Sequence, residues 1–130
     1  MEKFSPLKNI SLIFVLITLS YLLATPVGSY LGPKIFYTDG GFATFSLPSD
    51  FGNFLNGVPF VYLFLSAFLF GTFGKGRKWV WATTCAIPMI YFLFSIDSGL
   101  VIWLWSAASF AKGIIIALAI NFFRKQRTTK

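Results

Sequence analysis

A membrane bundle of four transmembrane helices is the fold this chain predicts, and three observations carry the prediction. Hydrophobic residues make up 56% of the chain and charged ones only 12%, whereas ordinary soluble domains are roughly one quarter charged. The stretches 9–33, 51–74, 79–96 and 98–123 carry no charge apart from Lys112. The basic residues gather between those stretches and fall almost entirely on one side. A chain this short and apolar cannot cover its own surface with polar groups, so lipid must serve as its solvent. Its length fits one domain, residues 1–130.

A spanning helix needs about 20 mostly apolar residues to cross roughly 30 Å of hydrocarbon. The spans are expected at about 9–27, 57–74, 79–96 and 99–123, the third only just long enough. Continuous apolar runs, without alternation, exclude a transmembrane β-barrel. A rival reading makes the first span a cleaved signal peptide. Signal cores run about 7–15 residues, however, and this stretch stays uncharged for longer.

Sidedness follows from the basic residues. Lys3 and Lys8 precede the first span, Lys75, Arg77 and Lys78 link spans two and three, and Arg124, Lys125, Arg127 and Lys130 follow the fourth. Four spans put all nine on one side and only Lys34 on the other. Lys and Arg excess marks the cytoplasmic face of a cell membrane, so both ends are expected inside. Asp39, Asp50 and Asp97 then lie outside.

The connectors are unequal. The basic link at 74–78 and the turn at 97–99 are tight, which makes helices two, three and four antiparallel neighbours. The first connection, 28–56, is long for a compact protein. Within it, 34–38 and 42–47 have strand-like composition around Asp39-Gly40-Gly41, a hairpin turn signal. Ser49 or Asp50 then reads as a helix cap, with Phe51, Phe54 and Leu55 on one face of an amphipathic turn at the outer surface.

Lys112 is the residue that breaks the apolar pattern. It stands 12 residues from Arg124 and 15 from Asp97, which at ~1.5 Å per residue is near mid-membrane. A charge there costs about 2.5–3.5 kcal/mol on insertion scales and usually faces a bundle interior. Tyr21, Tyr62 and Tyr91 each lie 13 residues from the basic end of their own span, at nearly the same depth. Lys112 and the three phenols form the candidate intramembrane polar site; the competing readings are a snorkelling lysine and a deep aromatic belt. Pro88 sits within the third span, where it frees the carbonyl of Thr84 and is expected to kink the helix. Small residues recur every fourth position at Ser20 and Ala24, Ala67 and Gly71, Ala82 and Ala86, and Ser109, Gly113 and Ala117, a pattern that lets helix backbones approach. Trp79, Trp81, Trp103 and Trp105 mark the interfaces.

Several function classes are excluded by what these residues lack. Histidine is absent and Cys85 is the single cysteine, which leaves no intrachain disulfide and no metal-ligand spacing. No paired carboxylate, phosphate loop or serine elbow appears. No enzyme chemistry and no cofactor are therefore expected, and the basic clusters lack the aromatic interleaving of a nucleic-acid surface. Small four-helix multidrug exporters have a similar size but carry a carboxylate inside their first helix, and this chain has none there. The expectation is a non-catalytic accessory, assembly or protective subunit in the bilayer, packed against itself or another membrane protein. The alternative is a small oligomeric transporter or channel that uses Lys112 for an anion or proton.

Overall fold

The computed structural model describes residues 6–35, 49–95 and 99–128. Those residues form four helices and no strand: α1 (Pro6–Ile35), α2 (Ser49–Phe73), α3 (Lys78–Ser95) and α4 (Leu100–Thr128). Three are long and apolar enough to cross a membrane, over Leu7–Lys34, Asp50–Phe73 and Leu100–Thr128. α3 falls short of them: its 18 residues include Lys78, two threonines, Pro88 and Tyr91, which dilute its apolar core.

α1 corrects the expected boundaries. Pro6 opens the helix, at a position where the missing N–H has no intrahelical partner to lose. The helix then runs through Pro26 and Pro33 to Ile35, eight residues beyond the expected end at Val27. Lys34 and Ile35 therefore belong to a helix and not to a strand; the rest of the expected hairpin lies outside the described residues. Likewise, the expected loop at 28–56 is helical at both ends, and Phe51, Phe54 and Leu55 are part of α2.

The cause is the packing of α1 on α2. Gly28 and Gly57 meet backbone to backbone: a Cβ on Gly28 would collide with the carbonyl of Asn53, and one on Gly57 with that of Ala24. Ser20, Ala24, Gly28 and Gly32 are all buried, so the four-residue spacing of small side chains continues past Pro26. Apolar contacts complete the seam, with Leu16 of α1 packed among Val61, Leu65 and Leu69 of α2. A chain that stopped at Pro26 would forfeit this contact and leave backbone groups unpaired in lipid.

α2 is the centre. It packs on α1, on α4 and less extensively on α3, while direct packing among the outer three is slight. In its apolar window 61% of the residues are buried, against 22% in α1 and α4. Its second small face, Ala67 and Gly71, meets α4: a Cβ on Gly113 would lie 2.5 Å from the Phe64 carbonyl oxygen, and one on Gly71 2.6 Å from the Ala117 Cβ. On the α3 side Ala82 and Ala86 are buried, and Trp81 stacks on Phe70 with ring centroids 6.1 Å apart. The outer helices turn Phe14, Leu22, Ile87, Phe94, Ile115 and Phe122 outward, as a bundle solvated by hydrocarbon can do.

The basic end of α2 is closed by side chains from its neighbours. A helix leaves its last four carbonyls without intrahelical partners. The Gly74 N–H donates to Phe70 O at 2.9 Å. The Asn121 Nδ2 donates to Gly71 O at 2.8 Å, and the Arg124 guanidinium to Thr72 O at 3.2 Å. The buried Asn9 of α1 holds the turn itself, donating to Lys75 O at 3.3 Å and accepting from the Lys75 N–H at 3.2 Å. Gly76, with φ 70°, then turns the chain into α3.

Candidate functional site

The position of Lys112 follows from the face α4 must bury. Ile102, Ser106, Gly113 and Ala117 form that face, and at Gly113 only the missing side chain lets α4 settle onto Phe64 and Ala67 of α2. Successive helical residues are ~100° apart. Lys112 is therefore carried onto the flank of α4 when Gly113 faces α2, and its side chain is exposed on the outside of the bundle.

The three tyrosines are distributed and not gathered. Tyr62 is half-buried and packs against two of the apolar clusters of the core. Tyr21 is 69% exposed, its ring edge-on to Phe54 at 5.5 Å. Tyr91 is 73% exposed on α3. Among the described residues, none of the three is hydrogen-bonded to Lys112. Pro88 is exposed on α3, and the helix continues on both sides of it.

One cavity lies elsewhere, between α2, α3 and α4. It is a groove of about 240 Å³, lined by Leu63, Ala86, Leu93, Trp103, Ser106 and Phe110 among others. Its surface is almost wholly apolar. Ser106 is buried there, and its hydroxyl has no hydrogen-bond partner. Thr83, Thr84, Ser95 and Ser109, by contrast, each donate to the carbonyl four residues back. Neither Lys112 nor any of the three tyrosines lines this groove. A groove with this lining holds apolar matter, and its hydroxyls are those of Ser106 and Thr83.

Comparison with protein-family models, with curated proteins and with solved structures finds no match. The functional reading therefore rests on the geometry. Two features of that geometry were missed by sequence reasoning. The collar of Asn9, Asn121 and Arg124 around the end of α2 has no local signal, because each partner is distant in the chain. The Gly28–Gly57 contact had one: Gly28 and Gly32 extend the spacing begun by Ser20 and Ala24.

Proposed function

We propose that this chain is a non-catalytic membrane subunit that docks the Lys112 flank of α4 onto another membrane protein or a second copy of itself. The observation that carries the reading is the exposure of Lys112 on the outside of the bundle. A cation at that depth is costly in hydrocarbon, and apolar burial around it is not what α4 supplies. A carboxylate, hydroxyl or freed carbonyl on a neighbouring transmembrane helix would solvate it, and the pairing would fix the register of the two helices. A transport path through a single copy has less support. Leu63, Leu65, Leu69 and Phe70 fill the centre of the bundle, and Lys112 does not face it.

The experiment is capture of neighbours by crosslinking in native membranes, comparing wild type with Lys112→Leu and Lys112→Arg. Lys112→Leu should lose the crosslinked species while the monomer stays folded, and Lys112→Arg should largely restore it, since arginine keeps the charge. Equal capture by wild type and Lys112→Leu would sink the reading.

The same reading takes α3 as a fourth span in a cell membrane, with the basic link and both termini in the cytoplasm. Its support is the distribution of Lys and Arg. Reporter fusions after Gly76 and after Lys130 should both report the inside; an outside signal from either overturns the topology.

A further inference from the structure

A continuous line of side chains runs down α2 to its basic end. The Phe64 and Phe68 rings stack at 5.9 Å, Phe68 and Phe73 meet edge-on at 6.5 Å, and the Arg124 guanidinium carbon lies 5.2 Å from the Phe73 ring centre. Phe64 and Phe68 are half-buried and Phe73 is exposed. From Phe64 to Phe73 the helix rises about 14 Å, close to the ~15 Å depth of one leaflet's hydrocarbon. The line therefore spans the length of one acyl chain and ends at a cation.

The charge at that end is one-sided. Lys8, Lys75, Arg77, Lys78, Arg124 and Arg127 gather there, and the one acidic side chain among the described residues, Asp50, opens α2 at its other end. Arg77 and Lys78 also stand at the N-terminus of α3, where the helix dipole disfavours cations. Arg124 gives one N–H to Thr72 O. A guanidinium has five N–H donors in a planar fork, so the rest can take a phosphate in bidentate fashion.

We infer that this end of the bundle is a binding site for one anionic phospholipid, its phosphate on Arg124 and one acyl chain along Phe73, Phe68 and Phe64. The hydrogen bond to Thr72 and the ring of Phe73 hold the guanidinium in position, so little side-chain freedom is lost on binding. The neighbouring cations of the turn and of α4 supply the field that selects an anionic headgroup over a zwitterionic one. The site does not depend on the Lys112 flank or on what docks there.

The test uses the full chain in neutral detergent and measures lipid affinity by native mass spectrometry. Phosphatidylglycerol should bind about tenfold more tightly than phosphatidylcholine, whose choline cation is repelled by the same basic cluster. Arg124→Gln should weaken binding of both lipids about tenfold, since both carry the phosphate and the variant loses one charge-assisted contact. Lys34→Gln, the same charge change at the opposite end, should leave the preference intact. Arg124 also caps α2, so Lys75→Gln is the second variant: its backbone contacts with Asn9 remain, and the preference should fall about fivefold. Equal binding of the two lipids, undiminished affinity in Arg124→Gln, or an undiminished preference in Lys75→Gln overturns the site. Displacement of phosphatidylglycerol by inorganic phosphate at matched concentration would overturn the lipid as its occupant, since the phenylalanine line would then contribute nothing.

Discussion

Gly57→Ala is expected to detach α1 from α2, at a cost of about 3 kcal/mol or more. The new methyl group would enter space held by the Ala24 carbonyl. Backbone cannot rotate away as a flexible side chain can, so the two helices must separate along their shared seam. Gly28→Ala should cost a similar amount, because its Cβ meets the Asn53 carbonyl in the same contact. The double variant should cost far less than the sum, since one opened gap accommodates both methyl groups. Gly52→Ala is the matched control: a Cβ there meets nothing within 4 Å. It should be neutral or stabilising by up to ~1 kcal/mol through helix propensity alone. Unfolding in mixed detergent micelles, followed by far-ultraviolet circular dichroism, reads all four. If Gly57→Ala and Gly52→Ala behave alike, close backbone contact is not what joins α1 to α2.

Asn9→Leu should weaken the opposite end of the same pair. Asn9 is only 3% exposed, and both halves of its amide are used by Lys75. Leucine would leave a peptide N–H and a carbonyl without partners at the edge of the hydrocarbon, an expected loss of ~2–4 kcal/mol. The released turn contains Lys75 and Arg77, both trypsin sites. Faster tryptic cleavage between α2 and α3 should therefore accompany the lower stability. Asn9→Asp keeps the acceptor for the Lys75 N–H and should fall between the two. Wild-type cleavage rates in Asn9→Leu would mean that the turn holds itself.

The two ends of the chain differ in how far they could be read in advance. The basic clusters and apolar runs gave the helices and their order, because hydrocarbon tolerates few other arrangements. The first span is expected to end at Val27, which leaves Gly28 in a loop, as a glycine that follows a helix in water commonly is. In lipid an interrupted helix leaves polar backbone exposed, and the glycine serves instead as the point of closest approach to α2. The candidate site shows a second limit. Counting residues gives the depth of Lys112, Tyr21, Tyr62 and Tyr91 but not the direction in which each points. Direction is set by which neighbours pack, and those are fixed by distant residues such as Phe64 and Ala67 against Gly113. Gly113 did carry a usable signal: with Ser109 and Ala117 it marks the packed face of α4, and Lys112 is its immediate neighbour.

Because α1, α3 and α4 each rest on α2 and hardly on one another, the outer helices act as nearly independent attachments. Energetic communication between them runs chiefly through the central helix, although α3 and α4 also meet directly where Phe94 packs on Trp103 with ring centroids 4.8 Å apart. A partner seated on the flank of α4 can reach α1 only by shifting α2 between Phe64 and Gly57, which lie about two turns apart. Damage on one side should stay local for the same reason: the costs of Gly57→Ala and Gly113→Ala should add, within the few tenths of a kcal/mol typical of uncoupled sites. The outward surfaces of these helices are thereby free to change with little effect on one another, α1 most of all.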